Sequence, residues 1–181
     1  MNCNNIKPIT GGCEDNNLGS ITKAWIADYD SVTDYTVDFD PDANDPGVLT
    51  AMTIVTGEEF QAFTFGANRS MYTENWQGDI TAGVHFYASS IVIGLRRIDV
   101  SKRNAISVLA EGRRRLVVIT LDNNGEYRVF GLDDGLRLTA MESGTNEARS
   151  AGSFYTITLS GEDKWLAPFT DKTVVDSVLP V

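Results

Sequence analysis

The chain has 181 residues, 42% of them hydrophobic and 22% charged, the proportions of one soluble globular domain large enough to bury its own core. No apolar run reaches membrane-spanning length, and the opening "MNCNNIKPITGG" lacks the basic start and apolar stretch of a secretory signal, so the expectation is a protein used inside a cell or carried in a particle assembled there. A formal net charge of −10 sets the whole molecule against nucleic acid at long range, because phosphates carry the same sign.

In chain order, residues 1–19 are rich in Asn and Gly, lack periodicity and read as an arm ahead of a single domain spanning residues 20–181. "SITKAWIADY" reads as a first strand. The stretch "TDYTVDFDPDANDPGV" reads as an acidic, turn-rich connection in which Pro41 and Pro46 prevent regular pairing. "LTAMTIV" and "EFQAFTFG" follow as two strands, with "TGE" as a hairpin turn between them. "SMYTENWQG" and "DITAGVHFYASSIVIGL" form two longer β segments. Within the second, Ile80, Ala82, Val84 and Phe86 share one face by period two, and Thr81, Gly83, His85 and Tyr87 the other. The segment is long for an ordinary strand and suits an extended wall.

One helix is expected, at about 99–111. Asp99 or Ser101 supplies the N-cap; Ala105, Ile106 and Leu109 share a face, with Val108 at its margin; Gly112 terminates it. A three-strand meander comes next, residues 115–121, 126–132 and 136–143, divided by "DNNG" and "DDG". "GSFYTITLSG" is a last strand, and the tail holds a short strand near "TVVDSV". The fold class is therefore mainly β, a sandwich or barrel with one flanking helix.

Charge is unevenly spread. Residues 1–95 carry 13 acids and 3 bases, residues 96–115 carry 7 bases and 2 acids, and residues 116–181 carry 10 acids and 5 bases. The basic segment holds Arg96, Arg97, Lys102, Arg103, Arg113, Arg114 and Arg115. No nucleic-acid motif and no interleaved exposed aromatics accompany it, so it reads as a subunit-interface surface facing acids of the same chain or of a neighbouring copy. The bland reading of Arg113 to Arg115 is solvation beside the negative end of the helix.

Catalytic hardware is thin. His85 is the single histidine, it sits inside a β segment, and no GxSxG elbow supports a triad. Asp38, Asp40, Asp42 and Asn44 are spaced like calcium-loop ligands, but neither register places the Gly and Glu an EF-hand needs, which leaves a looser site at 38–45 or a solvated loop. Cys3 and Cys13 can close a loop or stand as reduced thiols; no second histidine or CxxC pair completes a zinc site. No enzyme activity, cofactor or metal is assigned.

The block "ISVLAEGRRRLVVITLDNNGEYRVFGLDDGLRLTAMESGTNEARSAGSFYTITLSGED" resembles structural tail proteins of bacteriophages, especially the tail-tube-like proteins of crAss-like phages of gut Bacteroidetes. "GCEDNNLGSITKAWIADYDSV" is similar to their opening; residues 34–47 fall outside the resemblance. The resemblance implies a sandwich or barrel of tail-tube type, copies arranged in rings, and rings stacked into a conduit for DNA. It implies a homo-oligomer assembled in the host bacterial cytoplasm and located in the virion, meeting other tail or portal proteins and touching passing DNA non-specifically, with no membrane. A head–tail connector or completion ring is the alternative within that class. Outside it stands a monomeric β-sandwich that binds a ligand on an aromatic platform of Trp25, Trp76 and Trp165.

Overall fold

The computed structural model describes residues 18–38, 47–65, 69–79, 81–111, 114–145 and 152–179. Their strands are β1 (Ile21–Asp28), β2 (Val32–Asp38), β3 (Val48–Ile54), β4 (Gln61–Thr64), β5 (Met71–Asp79), β6 (Val84–Arg96), β7 (Leu116–Asp122), β8 (Tyr127–Phe130), β9 (Arg137–Thr145), β10 (Ser153–Asp163) and β11 (Phe169–Thr170). Two helices accompany them, α1 (Val100–Glu111) and α2 (Lys172–Val178). The fold is mainly β, as composition and alternation predict.

The strands form two sheets. A seven-stranded sheet runs β2-β3-β11-β8-β7-β1-β4, and a four-stranded sheet runs β5-β6-β10-β9. All pairings are antiparallel except β11 with β3. Between the sheets lies one core cluster, including Ile21, Ile26, Leu116, Val118 and Phe130 from the larger sheet and Ile91, Ile93, Leu95, Tyr155, Ile157 and Leu159 from the smaller. A second cluster lies on the other face of the larger sheet, where Trp25, Ala27, Val117, Ile119 and Val129 pack with Leu49, Met52, Phe60 and with Val175 and Val178 of α2. Alternate residues of β1 and β7 thus enter different clusters. That is why "LVVITL" is apolar without alternation: a strand buried on both faces has no solvent side.

Four expectations need correction. Residues 32–38 are strand β2, paired with β3 from Val32 to Asp38, so regular pairing begins well before the prolines. β3 and β4 are not a hairpin: β3 pairs with β2 and β11 while β4 pairs with β1, so "TGE" carries the chain across the sheet. The second turn of the meander is likewise a crossover, since β8 belongs to the larger sheet and β9 to the smaller. Gly131 makes it possible at φ +78, where an added Cβ would stand 2.6 Å from the Leu116 carbonyl oxygen. Finally, "TVVDSV" is helical, making α2 a second helix, and Val175 and Val178, spaced one turn apart, cover the larger sheet. Asp99 is the residue that caps α1, accepting from the Lys102 amide at 2.8 Å. The predicted terminator Gly112 lies outside the described residues, and so do residues 1–17 of the expected arm.

Candidate assembly surfaces

The four-stranded sheet is covered on one face only. By register, its outward residues include Thr73, Asn75 and Gln77 on β5, Ala88, Ser90 and Val92 on β6, Thr156, Thr158, Ser160 and Glu162 on β10, and Ala140 and Glu142 on β9, with Met71, Val84, Phe86 and Phe154 on the same face toward its ends. Hydroxyls, amides and methyls dominate the middle of this face. Asp79, Glu142 and Glu162 set three carboxylates against the two guanidiniums of Arg96 and Arg137, a net of −1 from the same strands. A shallow concavity of about 500 Å³ crosses it, lined by Asn75, Ser90, Arg137, Thr139, Ser160 and Glu162. Ser160 Oγ stands 3.1 Å from Thr139 Oγ1 and 3.4 Å from Ser90 Oγ, a hydroxyl row running across three strands.

Both outer strands of this sheet, β5 and β9, are nine residues long, and neither has a partner beyond it among the described residues. Neither contains Pro or Lys, the residues that ordinarily blunt an exposed edge. Edge strands of the larger sheet differ. β4 has only four residues, and the pairing of β2 is broken by two register shifts, against one for β9 and none for β5.

β5 and β6 run on together beyond the sandwich as a hairpin, paired out to Asp79 and Val84. Core packing ends near Tyr72, and at the tip Trp76 and Val84 are each 55% exposed. Asp79 closes the turn, accepting the amides of Thr81 at 2.8 Å and Ala82 at 3.2 Å; these donors hold its carboxyl below the usual carboxylate range. His85 stands exposed opposite Gly78 on the same hairpin.

At the far end of β6 lies a second surface. A groove of about 490 Å³ separates β4 from α1, lined by Ala62, Phe63 and Leu95 on one side and Ser101, Ala105, Val108 and Leu109 on the other, with Lys102 beside them. Ile106 is the helix residue that enters the core, and Leu109 packs against that core half-buried. Ala105, assigned from the sequence to the same buried face, is exposed instead and faces the groove.

The basic residues divide into two sets. Arg114 reaches Asp28 at 3.2 Å; Arg115 reaches Asp30 at 2.8 Å and Asp134 at 3.8 Å and lies 4.2 Å above the Tyr29 ring. Those two therefore serve the fold of their own chain. Lys102 pairs with Asp99 at 2.8 Å and its Nζ donates to the carbonyls of Arg96 and Arg97. That clamp supports Arg97 in a left-handed conformation, φ 63, unusual for a residue with a β-carbon. Arg96 and Arg103 are exposed and make no salt bridge among the described residues, while Arg97, also exposed, lies near enough to Asp99 to favour its charged form. Arg113 lies outside those residues.

Two buried polar groups escaped the sequence reading. Glu74, its side chain 7% exposed, binds Arg128 at 3.2 Å and accepts the Ala167 amide at 2.7 Å, while Arg128 stacks 4.1 Å over Phe169. Asp163 accepts the amides of Gly131 and Asp133, so it pins the crossover loop to the end of β10; burial raises its carboxyl above the usual range despite those two donors. Both look like ordinary surface acids in a sequence with 25 of them.

Of the proposed aromatic platform, Trp25 is 8% exposed, inside the core and 6.1 Å from the Tyr127 ring. It cannot present a face to a ligand, and only Trp76 and Trp165 are exposed. No described group of three or more His, Cys, Asp or Glu side chains gathers as a metal site, and Cys3, Cys13, Asp40, Asp42 and Asn44 lie outside the described residues. No described helix is long and apolar enough to cross a membrane. Compared with protein-family models, with curated proteins and with solved structures, the chain finds no match in any of the three.

Proposed function

We propose that the chain is a structural subunit of a bacteriophage tail, its copies joined into rings or a tube that conducts DNA. The observation that carries this reading is the four-stranded sheet, open at both edges and faced with hydroxyls. Its strands alternate in direction and are even in number. A rotation that places β5 of one copy beside β9 of the next therefore makes another antiparallel junction, and repetition closes the sheets into one barrel. Such a contact is head-to-tail, joining two different surfaces, which is the geometry that builds rings. The outward face then becomes the lumen. With a net of −1 per copy from its strands, one more negative charge from Asp134 beside Arg137, and few guanidiniums, it does not grip phosphates, so a duplex slides past.

Light scattering after size exclusion, with negative-stain images of the leading peak, tests this. Rings or tubes with a central hole are expected. Met141→Lys, which sets a charge on the β9 edge at a position 52% exposed, should reduce assembly while leaving the melting temperature of the isolated subunit unchanged. A monomer at every concentration and salt tested would overturn the reading.

A further inference from the structure

Asn124–Gly125 is the one Asn-Gly step in 181 residues, and it sits in the turn that joins β7 to β8. The asparagines of that turn also hold a distant piece of chain. Asn124 faces Leu18 as one peptide group faces another in a ladder. The Leu18 amide donates to Asn124 Oδ1 at 2.9 Å, and Asn124 Nδ2 donates back to the Leu18 carbonyl at 3.1 Å. Asn123 holds the next two residues, its Nδ2 donating to the Gly19 carbonyl and its amide to the Ser20 carbonyl at 3.2 Å. Ser20 stands at φ 80, a conformation that a residue with a β-carbon keeps only where its surroundings hold it. The turn is thus a latch on residues 18–20, the approach to β1.

An Asn-Gly step carries a reaction of its own. The Gly125 nitrogen can attack Asn124 Cγ: a C–N bond forms, the bond from Cγ to Nδ2 breaks, and Nδ2 leaves as ammonia with the Gly125 amide proton. Water then opens the cyclic imide to a carboxylate, on the side chain or in the main chain. Glycine permits the attack because no side chain shields its nitrogen, and a Cβ at Gly125 would meet nothing within 4 Å. The Gly125 amide is loosely held, donating to the Asp122 carbonyl at 3.3 Å. A concavity of about 240 Å³ lined by Leu18, Met71, Asp122 and Asn124 admits the water. Leu18 opposes the reaction, because a carboxamide bound at both ends is not free to swing onto the Gly125 nitrogen. We infer that Asn124 is a deamidation site and that its conversion opens the latch. The product carboxylate still accepts from the Leu18 amide but has no hydrogen to return to the Leu18 carbonyl. It also sets a second negative charge beside Asp122, whose Oδ2 accepts from Nδ2 at 3.4 Å in the amide form. The main-chain isomer adds a backbone atom to a turn whose flanking residues, Leu121 and Tyr127, are paired. The change runs one way, so it marks the age of a molecule. It does not depend on the tail reading and holds for a monomer.

Mass spectrometry of the full chain, kept warm at mildly alkaline pH and mapped peptide by peptide with the two acid isomers separated, tests the site. Conversion is expected at Asn124, faster as pH rises. Leu18→Pro, at a position 50% exposed, removes the N–H that binds Oδ1 and should raise the rate several-fold without moving the melting temperature. Asn124→Asp reproduces one product. Hydrogen exchange across residues 18–20 should then be several-fold faster, with exchange in β6 and β10 unchanged. An Asn124 that stays an amide in both the parent and the Leu18→Pro protein would overturn the site. A rate that Leu18→Pro does not move, or unchanged exchange in Asn124→Asp, would overturn the latch.

Discussion

The two sheets of this protein are built for different neighbours. The larger is buried on both faces along its central strands β1 and β7, with α2 packed on the outer side, and its edge strands are either very short or broken by register shifts. The smaller is buried on one face, and it leaves two nine-residue edges and a hydroxyl face open. The first is a finished core; the second has the features of one unit in a longer sheet. On the proposed reading, stability and assembly fall to separate layers within 181 residues, and substitutions in each should have different consequences.

The largest contrast is expected between Phe130 and Thr158. Phe130, 1% exposed and tilted against the Tyr72 ring with centroids 5.1 Å apart, sits where the sheets meet. Phe130→Ala should cost about 3–5 kcal/mol of folding free energy, from lost burial plus the cavity left behind. Thr158→Ala, on the outward face, should change stability by less than about 0.5 kcal/mol. Urea unfolding followed by fluorescence measures both. Equal losses would erase the distinction between the layers.

Next in size is the ion pair that joins them. Glu74 belongs to the smaller sheet and Arg128 to the larger. Arg128→Ala leaves a nearly buried carboxylate with no counter-ion and should destabilise by about 3 kcal/mol. Adding Glu74→Gln removes the stranded charge and should recover part of that loss. No recovery in the double variant would mean that Arg128 acts through its stacking on Phe169 and Tyr72 instead.

How much of this was legible in the sequence follows from the range of the interactions involved. β5, most of β6 and helix α1 were readable, and its cap was narrowed to Asp99 or Ser101, because alternation, helical period and capping are local signals; the alternation read through Thr81, Ala82 and Gly83 failed, since those residues are the turn between β5 and β6. Which strands pair is decided by distant residues. "TGE" and "DDG" carry turn chemistry, yet both deliver the chain to a non-adjacent strand, and no local rule separates a hairpin from a crossover. "TVVDSV" has the β-branched composition of a strand and becomes helical because Val175 and Val178 cover the second cluster, tertiary packing overriding propensity. Among the basic residues, the segment was visible but its division was not. Arg114 and Arg115 find acids 85 or more positions away, while Arg96 and Arg103 make no salt bridge among the described residues.

A pH titration sharpens the same comparison at smaller amplitude. Burial lifts the folded-state pKa of Asp163 above its unfolded value, so over the window just above the ordinary carboxylate range the folded state holds more protons. Stability should therefore fall as pH rises through that window, and Asp163→Asn should flatten this slope. Asp79 and Asp99 act with the opposite sign. Their folded pKa values are lowered, so the stability they supply is present above the ordinary range and is lost as pH falls below it. The two windows lie on either side of the usual carboxylate pKa, which lets one experiment separate the buried acid from the exposed ones.

The smallest expected effects concern the two sets of guanidiniums, and they bear most directly on assembly. Arg115 makes exposed ion pairs and stacks on Tyr29, so Arg115→Ala should cost about 1 kcal/mol; Arg114→Ala, which loses one exposed pair, should cost about 0.5 kcal/mol or less. Arg96→Ala should leave the stability of the isolated subunit within error, having no partner to lose. If self-association is then measured for the same three variants, the order should invert, with Arg96 mattering and Arg114 not. A side chain already satisfied within its own copy has little left to offer another, whereas an exposed guanidinium with no salt bridge gains a partner only when a second copy arrives.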